Sequence, residues 1–282
     1  MLRCFPGLML LVALGGCASI GGNPGDPLES YNRAMFGFNE SVDGAVIKPV
    51  ATGYKTAMPE FARTGVINFF SNTDDIWIGA NNILQGKVGA GVSDFGRFGM
   101  NTTVGLLGLF DVASNAGLEK HNEDFGQTLG RWGVGSGAYI VLPVLGPSTL
   151  RDALSLLIVD PRGNPLRYVA NIPARNELIG LRAVDTRANL LKTGDLVEEV
   201  ALDRYSFVRA AYLQRRRYLI YDGNPPREPE QSRESQSGAA ARAAPGATAR
   251  SYQATANPRD QYALLAVPGE PGSAPVYTSL LP

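Results

Sequence analysis

The chain is poor in the residues that carry most enzyme chemistry. It has 282 residues, with two cysteines and one histidine. Cys4 falls in the leader described below, so Cys17 has no second cysteine to pair with and a disulfide framework is excluded. The lone His121 removes histidine-based triads and most transition-metal sites. It lies in Glu119-Lys120-His121-Asn122-Glu123 and reads as a solvated loop residue. No Gly-x-Ser-x-Gly elbow is present. Charge is also scarce: 18% of residues are charged, against about a quarter in ordinary domains. The 26 basic and 26 acidic residues cancel, which denies nucleic acid a basic footprint. No apolar run reaches the ~18 residues that a spanning helix needs. Low charge with 33 glycines fits a protein partly immersed in lipid, or a Gly-rich soluble domain.

What is present begins with a leader. Residues 1–16 read as a signal peptide, with Arg3 as the positive region and a short apolar core from Leu8 to Leu14. Leu14-Gly15-Gly16-Cys17 resembles a bacterial lipobox: an aliphatic residue, two small residues that admit the peptidase, then the cysteine whose thiol takes the lipid. Cys17 is therefore the expected lipidation site and the first residue of the mature chain. Two or three acyl chains anchor firmly, at about 0.8 kcal/mol per buried CH₂. Ala18 follows where Asp marks retention in the inner membrane, so the expected destination is the outer membrane. Residues 17–25 read as an acylated tether.

The densest signal is Asp124 to Asp152. Gly126, Gly130, Gly133, Gly135, Gly137 and Gly146 punctuate it. Each glycine costs about 1 kcal/mol in a helix, so an extended, tightly turned crossover is expected. Gly133-Val134-Gly135-Ser136-Gly137-Ala138 fits a loose dinucleotide fingerprint, but Tyr139 to Pro143 follows where a helix should open. A structural turn cluster is the better reading.

The rest is helical in pattern. Asp26-Pro27-Leu28-Glu29 reads as a helix start, and Leu28, Tyr31, Met35, Phe38 and Val42 form an apolar stripe to about Asp43. Asn32, Arg33, Asn39 and Glu40 point elsewhere. A short helix is expected from Val50 to Met58, another from Pro59 to about Asn72, and a third capped by Asp74 or Asp75 and stopped by Gly86. The next spans Val88 to Thr103, with Val92, Phe95, Phe98 and Met100 apolar and Asp94, Arg97 and Asn101 polar. Val104 to Val112 is apolar all round, which suits either a core or an interfacial segment. Ser148 is expected to cap a helix to about Leu157, followed by a turn at 160–165. Arg175 to Lys192 and Asp195 to Tyr221 are the last helices, with Gly194 between them. Residues 26–222 thus form an all-α domain. Nine of the 19 prolines lie in 223–282, a tail too poor in apolar residues to order itself.

These segments, in order, resemble the VacJ/MlaA outer-membrane lipoproteins. The resemblance is carried by Asp26-Pro27-Leu28-Glu29 with Asn32-Arg33 and Phe38-Asn39, then Lys48-Pro49-Val50, Asn81 and Leu84-Gln85-Gly86. It continues through Arg97-Phe98 with Asn101-Thr102, Phe110-Asp111-Val112-Ala113, Phe125 to Gly130, Gly133-Val134-Gly135, Leu142-Pro143 and Leu150-Arg151-Asp152. It covers nearly all of 17–222 and leaves out the tail. It implies a ring-like bundle of amphipathic helices with a Gly-rich crossover, embedded in one membrane leaflet. It implies a channel that removes mislocalised phospholipid from the outer leaflet and passes it to a periplasmic carrier protein. An outer-membrane porin is the implied membrane partner, and the anchor lies on the periplasmic side. No cofactor, metal, nucleic acid or covalent chemistry is implied; phospholipid is the transported ligand.

A lipid needs a polar route for its headgroup and an apolar one for its tails. Phe38, Asn39, Arg97 and Asn101 are the expected channel or rim residues, with core packing or capping as the alternative for each. Arg33 and Arg151 read equally well as hydrogen-bond hubs. Two other functions compete: an envelope phospholipase using a Ser-Lys or carboxylate mechanism, and a structural lipoprotein that tethers a membrane partner.

Overall fold

The computed structural model describes residues 25–226. The leader, the Cys17 anchor, nearly all of the tether and the tail from residue 227 lie outside the described residues.

The first helix, α1 (Glu29–Val42), runs through a wide π turn (Asp43–Ile47) into α2 (Lys48–Ala57). The helix thus runs on through Pro49, where the sequence pattern leaves a break between Asp43 and Val50. A proline has no N–H to give, and a widened turn just before it lets the helix continue. Asp26 does not cap α1 either. It is buried, accepts from Asn32 Nδ2 at 3.1 Å and from the Tyr205 hydroxyl, and pairs with Arg209 Nε at 3.2 Å.

The two helices expected over 59–86 are one, α3 (Glu60–Leu84). Asn72, Asp74 and Asp75 look like punctuation in sequence. In the fold Asn72 and Asp75 are buried and Asp74 binds Arg182, so tertiary partners hold these side chains and the helix runs on. Gly86, at φ +82°, ends it as expected. The next helix, α4 (Val88–Thr103), has the expected bounds. It lies against α3 at two glycines: a Cβ on Gly91 would stand 2.7 Å from the Gly79 carbonyl oxygen, so no larger residue fits the crossing.

After the short α5 (Val112–Asn115), the glycine-rich stretch opens with a helix, α6 (Phe125–Arg131), where none was expected. Its glycines serve close approach. A Cβ on Gly126 would stand 2.6 Å from Asp152 Oδ1, and one on Gly130 would stand 2.9 Å from Arg151 Nη1. Beyond it the chain is extended, as read, and forms an antiparallel hairpin, β1 (Tyr139–Leu142) and β2 (Gly146–Thr149), with Leu142 opposite Gly146. The domain is thus mostly helical with a small sheet, and not strictly all-α.

Thr149, not Ser148, caps α7 (Leu150–Leu154), its hydroxyl accepting from the Asp152 amide at 3.3 Å. Ser148 is already buried inside β2. A π turn (Ser155–Val159) leads to α8 (Asp160–Gly163) and a 3₁₀ turn (Pro165–Tyr168) in place of the expected loop. Asn171 then caps α9 (Ile172–Val200), which passes straight through Gly194; α10 (Arg204–Ile220) follows. The break falls near 201–203; Asp195 lies inside α9, bound by Lys48 Nζ at 2.9 Å, and is not a cap. The apolar core gathers where α1, β1 and α10 meet: Tyr139, Val141 and Tyr205, with Met35, Phe36, Tyr212 and Leu213 packed on them.

Candidate functional site

The α3–α4 pair is built inside out. The buried face of α4 carries Asp94, Arg97 and Asn101, and the facing side of α3 carries Asn72, Asp75 and Asn82, while Asn81 is buried toward α6 through Thr128. Arg97 Nη2 donates to both Asp111 oxygens at 3.0 Å, and Nη1 donates to Ser114 Oγ at 3.0 Å and to the Leu118 carbonyl. Its Nε stands 3.6 Å from Asp75 Oδ2. Asn101 donates to Asp111 Oδ1 at 3.0 Å and accepts from the Ala113 amide at 2.8 Å. Asn82 Nδ2 donates to Asp94 Oδ2 at 2.7 Å. His121 sits 2.8 Å from the other Asp94 oxygen, so it is a bound partner and not the solvated loop residue expected. Lys120 reaches Asp75 and the Ser71 carbonyl. Burial pushes the Asp75 carboxyl up to about 6, and the charges of Lys120 and Arg97 only partly oppose it. Burial acts the same way on Asp111, but hydrogen bonds from Ser114 and Asn101 overcome it and hold that carboxyl low.

Many apolar residues of the same helices face out, although Phe70 and Ile78 of α3 are buried. Val92 is 61% exposed, and Val88 and Phe95 are exposed beside it. Of the four apolar members expected in α4, Phe98 and Met100 are half-buried, and Val92 and Phe95 thus lie on its outer surface. Val104, Leu106, Leu107, Leu109 and Phe110 extend it, with Leu107 at 68%. The 104–112 segment is thus a surface segment and not core. Leu150, Leu154, Leu157 and Ile158 form a second exposed apolar row around α7. Among the described residues, more polar and charged side chains than apolar ones are fully buried. A water-soluble domain shows the reverse. No helix among the described residues is long and apolar enough to cross a membrane.

A second polar device joins α1 to the hairpin. Asn32 and Asn39 are seven residues apart and share one face of the helix. Asn32 donates to the Tyr139 carbonyl at 3.1 Å and accepts from the Val141 amide at 2.8 Å. Asn39 donates to the Leu142 carbonyl at 2.8 Å and accepts from the Val144 amide at 2.7 Å. The two amides take the place of a third strand along the open edge of β1. Asn39 so fixes the turn in which Val144 holds a φ of +64°.

The architecture matches known proteins. The family model for the MlaA lipoprotein covers residues 24–219. The chain belongs to the MlaA lipoprotein family. An uncharacterised protein of Rickettsia bellii is 35% identical over 191 residues, 68% of this chain and 75% of its own length. The intermembrane phospholipid transport system lipoprotein MlaA of Escherichia coli is 36% identical over 224 residues, 77% of this chain and 87% of its own. A solved structure described as "Structural basis for maintenance of bacterial outer membrane lipid asymmetry" is 37% identical, with a TM-score of 0.62, over 69% of this chain and 98% of that one.

For this member of the family, the four expected rim residues divide. Phe38 is 49% exposed on α1, and Asn39 is half-buried against the hairpin turn. Arg97 and Asn101 are interior, bound to Asp111 and the 113–118 segment. Arg33 and Arg151 are hubs: Arg33 binds Glu29 and Asp203, and Arg151 binds Asp152 and the Val134 carbonyl. Sequence reasoning missed Asp75, Lys120 and Asn32. Asn32 shares the i, i+7 spacing of Asn39, which was the available signal.

Proposed function

We propose that this chain is an outer-membrane lipoprotein of an intermembrane phospholipid transport system that maintains outer-membrane lipid asymmetry. Membership of the MlaA family supports this, and the inside-out construction of α3 and α4 is the observation that carries it physically. Apolar side chains held outward over a polar interior lose nothing when the outer surface meets acyl chains. Most of the polar groups beneath are bound to one another, which suits a low-dielectric surrounding.

In this reading the domain is a ring-like helical bundle set in one leaflet, with Cys17 acylated and anchored on the periplasmic side. Phospholipid leaves the outer leaflet through a channel whose rim includes Phe38 and the Asn39-held turn. Arg97 and Asn101 brace the wall from behind, since protein groups already occupy their hydrogen bonds. The lipid passes to a periplasmic carrier protein, and an outer-membrane porin is the membrane neighbour. Transport needs no covalent step on the lipid.

The test is phospholipid in the outer leaflet of cells that lack the gene and carry the chain on a plasmid. The wild-type chain is expected to lower it, and Cys17→Ser, which removes the anchor, is expected not to. Outer-leaflet phospholipid left unchanged by the wild-type chain would refute the reading.

A further inference from the structure

A groove of about 440 Å³ runs between the first turns of α3 and the 104–110 segment. Phe61 and Gly65 form its floor, and Leu109 and Phe110 its opposite wall. Phe61, Gly65 and Asn68 recur at i, i+4 and i+7, so the groove follows the helix axis. Phe61 is 81% exposed. Gly65 opens the floor: a Cβ there would stand 3.7 Å from Leu109 Cδ2, so there is room for a side chain but none is present.

The far wall is preformed. Asn68 Nδ2 holds the Leu109 carbonyl at 3.1 Å, the Gly108 amide donates to the Asn101 carbonyl at 2.8 Å, and the Phe110 amide donates to the Gly105 carbonyl at 2.9 Å. Gly108, at φ +88°, lies on Asn72 where a Cβ would be 2.6 Å from Nδ2. With these backbone groups satisfied internally, the segment can sit among acyl chains. Leu106 and Leu107 hold φ values of 52° and 60°, a left-handed conformation that branched residues rarely adopt. Both side chains are turned outward, continuous with the exposed face of α4.

Charge narrows the occupant. No basic side chain lines the groove, and Glu60 is its one charged group. An anionic headgroup or a fatty-acid carboxylate is repelled there, and an ammonium group is attracted.

We propose that this groove binds one acyl chain of a zwitterionic, amine-bearing phospholipid, with the ammonium group beside Glu60. The proposal rests on the phospholipid reading above and adds a lipid site outside the polar interior.

The full-length acylated protein is placed in nanodiscs of phosphatidylethanolamine, or of phosphatidylglycerol, doped with the same lipid bearing a diazirine on its acyl chain. After irradiation, adducts are mapped by mass spectrometry. Adducts should concentrate on Phe61, Leu109 and Phe110 with the ethanolamine lipid. Gly65→Leu, which fills the floor and favours helix, should lower them about tenfold while helicity and adducts at Val92 stay unchanged. Glu60→Gln should erase the preference for the amine lipid. Even labelling of the groove, Val92 and Leu157, or undiminished labelling in Gly65→Leu, overturns the site. So does a groove crosslinked to a co-purified membrane protein in place of lipid. Outer-leaflet phospholipid is measured separately for the wild-type chain, so failure of the transport reading is seen independently of the labelling.

Discussion

The α3–α4 region and the region where α1 and α10 meet the hairpin and α2 meets α9 obey opposite rules. In the first, ion pairs lie inside, Arg97 with Asp75 and Asp111 and Lys120 with Asp75, and His121 is hydrogen-bonded to Asp94. Its outer face is Val88, Val92 and the 104–110 segment. In the second, an aromatic cluster lies inside, with Tyr139 against Tyr205 and Tyr212 at ring distances of 6.2 and 6.1 Å. Its ion pairs lie toward the surface: Arg33–Asp203 at 2.7 Å, Lys48–Asp195 at 2.9 Å and Arg204–Glu40 at 2.9 Å. Buried charge is not absent there, since Arg216 joins Asp124 to Asp152 at the foot of α10. The outer faces nonetheless differ in kind. On the reading proposed above, the first face meets acyl chains, while the second carries its ion pairs at the surface.

The contrast predicts unequal costs for removing a charge. Arg97→Met leaves the half-buried Asp111 without its cation and removes the second of the two cations beside the buried Asp75, and losses of this kind run to about 3–5 kcal/mol. Denaturant unfolding in detergent, or abundance in cells, should show a severely destabilised protein. A variant as stable as wild type would mean the polar interior is not what holds α3 to α4.

Acid titration is the next largest effect. The Asp75 carboxyl is raised to about 6 from its ordinary 3.8, so the folded state binds this proton more tightly than the unfolded state does. Its ionised form therefore costs stability at neutral pH. That cost, on the order of 2–3 kcal/mol, is relieved as pH falls from about 7 toward 4. Asp124 runs the other way. Burial raises its carboxyl, but Arg216 outweighs burial and holds it at about 2, so its contribution is present above pH 4 and lost toward pH 2. Stability should rise on mild acidification and fall in strong acid. Asp75→Asn should flatten the first limb only, as seen by unfolding at a series of pH values.

The hairpin latch should be intermediate. Asn32→Ala orphans the buried Tyr139 carbonyl and Val141 amide, at about 1–3 kcal/mol. Asn39→Ala frees a more exposed turn and should cost less, while speeding amide exchange at Val144. Equal exchange at Val144 in wild type and variant would remove Asn39 from the latch. Smallest of all, Lys48→Ala breaks only exposed pairs and should shift stability by less than about 1 kcal/mol.

Helix α4 was legible to the residue, because Gly86 and the start of the 104–110 turns bound it. Its orientation was not. Periodicity finds two faces of a helix but not which one meets the solvent, and the usual assignment inverts when the solvent is lipid. Asn72 and Asp75 look like helix punctuation, and only their tertiary partners show α3 to be continuous. Gly126 and Gly130 speak against helix by propensity, yet they sit in α6, where Asp152 Oδ1 and Arg151 Nη1 come within 3 Å of where a Cβ would stand. The hairpin edge was hidden for a related reason: side chains on α1, not a neighbouring strand, complete it.

The most direct measurement of the central contrast is the surroundings of a nitroxide label on Val92→Cys and on Leu202→Cys, in the acylated protein reconstituted into bilayers. Leu202 is fully exposed at the α9–α10 junction, with a relative exposure of 107%, and serves as the water-facing reference. Oxygen partitions into acyl chains and a nickel chelate stays in water. The label at 92 should be relaxed strongly by oxygen and weakly by nickel, and the label at 202 the reverse. Equal access of nickel to both positions in membrane-bound protein would contradict the inside-out account.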